Sequence, residues 1–110
     1  MSAPLQRDQV SKLAKSDTER ALTRARKVKD PWFRAQAYSW VARYAKESPK
    51  AIAARAASAA RKCDDEYKRS AVRAWEIAAL AEREFFLEAR AALRDATKVA
   101  RRAEPGSSRC

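Results

Sequence analysis

Apolar residues recur at steps of three and four along most of the chain. In the last third Phe86, Ala89, Leu93, Ala96 and Ala100, with Ala92, Val99 and Ala103 beside them, make one stripe, while Arg90, Arg94, Lys98 and Arg101 occupy another side. Between 31 and 46 the stripe is Phe33, Ala37, Trp40, Val41 and Tyr44. Such steps gather residues on one face of a helix with 3.6 residues per turn. Helix starts are marked as well. Ser16-Asp17-Thr18-Glu19 reads as a capping box with the Ser16 hydroxyl as cap. Asp30-Pro31 and Ser48-Pro49 each set a cap residue before a proline at the first helical position, and Asp64-Asp65-Glu66 puts negative charge at a helix N-terminus. The pattern predicts helices near 5–15, 17–29, 31–46, 49–63, 65–83 and 85–103. The break at 83–85 has no Pro or Gly to mark it. Connections this short require consecutive helices to fold back as antiparallel hairpins.

Two patterns recur and alternate. Ala21-Leu22-x-x-Ala25-x-Lys27-Val28 matches Ala56-Ala57-x-x-Ala60-x-Lys62-Cys63 and Ala92-Leu93-x-x-Ala96-x-Lys98-Val99, at spacings of 35 and 36 residues. The second runs Val10-x-x-Leu13-Ala14-Lys15, Val41-x-x-Tyr44-Ala45-Lys46 and Ile77-x-x-Leu80-Ala81-Glu82. Asp30/Asp65, Trp32/Tyr67, Arg34/Arg69 and Trp40/Trp75 are also 35 apart, so the tryptophans slip by one residue against the second pattern. Two helices per period of about 35 residues is the mark of a helical-hairpin array. In this respect the chain resembles the α-solenoid families, the tetratricopeptide-like and HEAT-like repeats, in architecture over nearly its whole length. The tetratricopeptide Leu-Gly pair and its Tyr are absent. The resemblance implies an all-α fold, a right-handed α-α superhelix of about five or six antiparallel helices, and a protein-binding scaffold or a basic, nucleic-acid-binding variant of one.

One hairpin cannot bury its own stripe, so neighbours must stack. Small alanines let axes approach, and Trp32, Phe33, Trp40, Tyr44, Trp75, Phe85 and Phe86 are expected to fill the spaces between layers. The expected organisation is a single domain over 1–104 and a tail over 105–110. Glu104-Pro105-Gly106 resembles another helix start, which reads either as a frayed tail or as an open stacking face covered by a second copy, a homodimer through the C-terminal helix.

Composition narrows the chemistry. Alanine supplies 26 residues, and 25 Lys+Arg stand against 14 Asp+Glu for a net charge of +11. With no His, the chain has no imidazole base, Ser-His or Cys-His nucleophile, or histidine metal ligand. Gly106 is the lone glycine, so no glycine-rich phosphate loop or dinucleotide turn is available. Neither catalysis nor a cofactor nor a metal is expected. Cys63 and Cys110 make no disulfide framework, which favours a reducing cytoplasm. Uncharged stretches such as Ala35–Ala42 fall far short of the roughly 18–20 apolar residues of a membrane span. Met1-Ser2-Ala3-Pro4 lacks the apolar run of a secretory signal.

The candidate function lies in the cations. Lys27, Lys62 and Lys98 share one repeat position, and Arg20, Arg24, Arg55, Arg90, Arg94 and Arg101, with Arg26, Arg61 and Arg102 widening the row, extend it into a face for an anionic partner. An acidic protein or peptide is the first reading; non-specific binding of nucleic-acid phosphates is the alternative. The same lysines sit toward helix ends, where cations offset the C-terminal dipole, and that structural reading is the first one for them. Trp40 and Trp75 read as core, Cys63 as a small buried hydrophobe and Trp32 either as the exposed aromatic or as a hydrophobic staple at its helix start. Arg34 and Arg69, cations in a first turn, are expected to pair with Asp30 and Asp65; anion binding is the other reading. Glu84 and Glu88 read as a solvated face.

Overall fold

Seven helical segments account for about four fifths of residues 1–103, the part of the chain that the computed structural model describes. The expectations for Glu104-Pro105-Gly106, the 105–110 tail and Cys110 lie outside the described residues. The segments are α1 (Ala3–Ser16), α2 (Thr18–Arg26), α3 (Pro31–Tyr44), α4 (Pro49–Arg61), α5 (Glu66–Ala71), α6 (Arg73–Glu82) and α7 (Phe86–Ala103). Val72 alone separates α5 from α6, so the expected helix over 65–83 is divided by a single residue. The protein is all-α among its described residues, and none of these helices is long and apolar enough to cross a membrane.

Local chemistry sets the boundaries. Carboxylate caps open three helices: Asp17 accepts from the Arg20 N–H at 3.1 Å, Asp30 from Trp32 at 2.9 Å and Asp65 from Lys68 at 2.7 Å. The cap of α2 is thus Asp17 and not Ser16, whose hydroxyl instead turns back to the Leu13 carbonyl. Ser48 makes no side-chain cap bond, because its backbone is left-handed, with φ 53°. The unmarked break at 83–85 is a Schellman motif. Phe85 N–H donates to the Leu80 carbonyl and Glu84 N–H to Ala81, with Glu84 left-handed at φ 62° where glycine is usual.

Consecutive helices pair, α1 with α2, α3 with α4, and α5 and α6 with α7. The first members also pack in series, α1 on α3 and α3 on α6, while α2 leans on α3 and α4 on α6. The result measures 49 × 34 × 16 Å along its principal axes. Contacts from α1, α2, α4 and α6 surround α3, and five consecutive residues, Ala35 to Ser39, are therefore buried. The single stripe expected on this helix is too narrow, since Gln36 and Ser39 are inside and Tyr44 is exposed. Gln36 is accommodated by Arg7, whose Nη1 donates to Oε1 at 2.8 Å, and the Ser39 hydroxyl donates to the Ala35 carbonyl.

Some positions 35 apart share environments, although Ser39 is buried and Ala74 exposed, and Trp32 is half-buried while Tyr67 is exposed. In the first helices of the second and third hairpins, Ala37/Val72, Tyr38/Arg73, Val41/Glu76 and Ala45/Leu80 are all buried. The 36-residue alignment of the second pattern matches Ala45 with Ala81, which is exposed, so the tryptophan register is the one the packing uses. Trp40 and Trp75 meet edge to face with centroids 6.4 Å apart. In the second helices Ala21, Ala56 and Ala92 are buried, as are Ala25, Ala60 and Ala96. Cys63 is buried beside Ala35, Ala59, Ala60 and Val72, with Trp32 and Trp75 packed against them. Trp32 is consequently half-buried and not the exposed aromatic, whereas Phe86, expected between layers, is 52% exposed.

Candidate interface for an anionic partner

All nine candidate cations are exposed, and all sit on or at the end of the second helix of a hairpin: Arg20, Arg24 and Lys27 on α2, Arg55 and Lys62 on α4, and Arg90, Arg94, Lys98 and Arg101 on α7. They are outside because the alternate positions of each helix, Ala21, Ala25, Ala56, Ala60, Ala92 and Ala96, are turned into the core. On α7 the four cations follow at steps of four, four and three, which at 1.5 Å per residue makes one row about 16 Å long. A single continuous row across all three helices does not form, because α2, α4 and α7 lean on first helices and do not pack extensively on one another.

Lys27 and Lys62 are the C-caps of α2 and α4, with nearly the same backbone angles (φ −89°, ψ −8° and φ −89°, ψ −2°). There a cation offsets the helix dipole. Lys98 has no such explanation, since α7 runs five residues further.

Charge pairing divides the cations, though not into candidates and others: like the candidates, Lys12, Lys15, Arg26, Lys29, Lys46 and Arg102 form no ion pair among the described residues. Arg7, Arg43, Lys50, Arg61, Lys68, Arg69 and Arg73 all form ion pairs with carboxylates. Among the described residues none of the nine candidates does; Arg24 alone makes a side-chain contact, to Gln9 Oε1 at 3.0 Å. Glu88 is held below the ordinary glutamate range by its own backbone N–H and by Lys50 of α4, 3.2 Å away. It is therefore an interhelix contact and not merely a solvated residue.

Arg34 and Arg69 do not pair with Asp30 and Asp65, whose carboxylates are already engaged as caps. Arg34 Nη1 donates to the carbonyls of Val28 and Lys29 at 3.0 and 2.9 Å, and Arg69 Nε donates to the Cys63 carbonyl at 2.8 Å. Both arginines thus close the end of the preceding second helix, which leaves neither as the anion site considered for it.

One charged group was not among the candidates. Arg73 and Glu76 are 4% and 3% exposed and pair through both guanidinium-facing carboxylate oxygens, while Arg73 Nη1 also donates to Asp95 Oδ2 at 2.6 Å. Burial pushes the Glu76 carboxyl above the ordinary value despite Arg73, and the hydrogen bond from Arg73 holds Asp95 below it. The 35-residue register points to this pair, because it puts Arg73 and Glu76 where the previous hairpin has buried Tyr38 and Val41. It ties α6 to α7.

An open cleft of about 750 Å³ lies between the α1–α2 and α3–α4 turns. Lys15, Lys46 and Arg55 on its walls are balanced by Asp17, Glu19 and Glu47, so it carries no preference for anions. No known protein-family model matches the chain, and comparisons with curated proteins and with solved structures find no match either.

Proposed function

We propose that this chain is a non-catalytic interaction module, a short right-handed array of helical hairpins in the cytoplasm, that binds an acidic protein or peptide through the cations of its second helices. The observation that carries the reading is the row on α7: Arg90, Arg94, Lys98 and Arg101 are exposed and form no ion pair among the described residues, whereas Lys50 and Arg61 of neighbouring α4 are matched with carboxylates. Like charges at steps of three and four along a helix destabilise it by about 0.2–0.5 kcal/mol per pair. A folded chain that keeps Arg90, Arg94 and Lys98 in one row carries that cost, and a carboxylate-rich partner removes it. Exposed Phe86, Leu87 and Leu93 on the same helix favour a protein over a phosphate backbone, which has no use for apolar neighbours.

Competition tests this. A labelled acidic peptide bound to the full chain is challenged with unlabelled polyglutamate and with duplex DNA at equal charge. The reading expects polyglutamate to displace it and DNA to do so no better. Displacement by DNA at much lower concentration supports nucleic-acid binding instead and overturns the assignment.

A further inference from the structure

The second helices of the first two hairpins each lean on the first helix of the next, α2 on α3 and α4 on α6. Helix α7 has no such follower among the described residues. The consequence is visible at one repeat position. Leu22 packs against the core and Ala57 is 5% exposed, but Leu93, the third copy, is 54% exposed. Phe86 and Ala100, one heptad before and after Leu93, are exposed with it, while Ala89, Ala92 and Ala96 are buried. The uncovered edge lies away from α4, because Glu88 and Asp95, which reach Lys50 and Arg61 of α4, project from the far side of the helix. Arg90, Arg94 and Arg101 flank this edge on its solvent side, whereas Lys98 lies farther round the helix toward Asp95.

Resting on the proposed function and deepening it, we infer that the Phe86–Leu93–Ala100 edge of α7 is a docking groove for an acidic amphipathic helix of a partner protein, which takes the place of the next helix in the stack. Spacing by heptads suits an apolar stripe on a facing helix, with carboxylates on its flank meeting Arg90, Arg94 and Arg101. A second copy of this chain is the poorer occupant. At +11 each, two copies repel, and a copy of α7 would bring the same cations against the row.

The test uses the full chain and a labelled helical peptide of about 20 residues, with Leu at heptad spacing and Glu beside it. A scrambled peptide of equal composition is the control. The amphipathic peptide is expected to bind at least about tenfold tighter than the scramble, and Leu93→Ser to remove that advantage while leaving the scramble's binding unchanged. Because Leu93 is already exposed, the variant is expected to keep the parent's helical circular dichroism. Equal binding of both peptides, unmoved by Leu93→Ser, overturns the groove and leaves the acidic-partner reading intact. No binding of either overturns both. Sedimentation showing a dimer that Leu93→Ser dissolves assigns the edge to a second copy and overturns the inference.

Discussion

Arg69 donates through Nε to the backbone carbonyl of Cys63, 2.8 Å away, as Arg34 donates to the carbonyl of Val28 exactly one 35-residue period earlier. In both places the first turn of one hairpin ties off the last carbonyls of the hairpin before. The bond replaces water at a helix end that would otherwise leave its acceptors unsatisfied. Arg34→Ala and Arg69→Ala are each expected to cost about 1–2 kcal/mol in urea unfolding, and lysine at either place to recover only part of it, since one ammonium lacks the fork that reaches these carbonyls. Equal stability of the alanine variants and the parent contradicts this role.

The Schellman turn between α6 and α7 places a glutamate where the backbone is left-handed. A Cβ there costs roughly 1 kcal/mol relative to glycine. Glu84→Gly is therefore expected to raise the unfolding midpoint without changing the denaturant slope. A loss of stability contradicts the reading of this turn.

Buried Arg73 and Glu76 occupy places that the preceding hairpin fills with Tyr38 and Val41. Arg73→Met alone strands a carboxylate in the core and is expected to destabilise by about 3–5 kcal/mol. The double variant Arg73→Tyr with Glu76→Val, which copies the earlier hairpin, is expected to recover most of that loss. Failure to recover any of it indicates that the two places are not equivalent.

The same network predicts a pH dependence. Asp95 is held below its ordinary value of 3.8 by Arg73, so the stability it contributes is full above that value and is lost as pH falls through the lower folded value. Glu76 works oppositely. Its folded value lies above the ordinary 4.5, so its ionisation subtracts stability as pH rises through that window. Asp95→Asn is accordingly expected to destabilise at pH 7 and to lose its effect toward pH 2. An effect that is constant across this range contradicts the pairing.

Much of the helical content was legible because caps and period-3.6 stripes are local. Asp30 and Asp65 open helices as their sequence context implies, and Cys63 is buried where the pattern has Val28. The errors arose where tertiary contact decides. Gln36 and Ser39 are inside because α3 is enclosed on several sides, which one helix's stripe does not reveal. Arg34 and Arg69 turn to carbonyls because the aspartates nearest them are consumed as caps. Phe86 and Leu93 continue an apolar stripe but lie uncovered, since burial there depends on a following helix. Exposure of the nine cations was readable from their places opposite buried alanines; the pairing of Arg43 with Glu82 and of Lys50 with Glu88 was not, because those partners lie on other helices, whereas Lys68 and Arg69 pair within three or four residues.

The most direct measurement is the salt dependence of binding to polyglutamate, compared between the parent chain and the variant Arg90→Ser, Arg94→Ser, Lys98→Ser. All three side chains are exposed and unpaired by any carboxylate among the described residues, so the variant is expected to fold as the parent does. The account predicts weaker binding and a distinctly shallower fall of affinity with salt in the variant. Equal affinity and an equal salt slope in the two proteins contradict it.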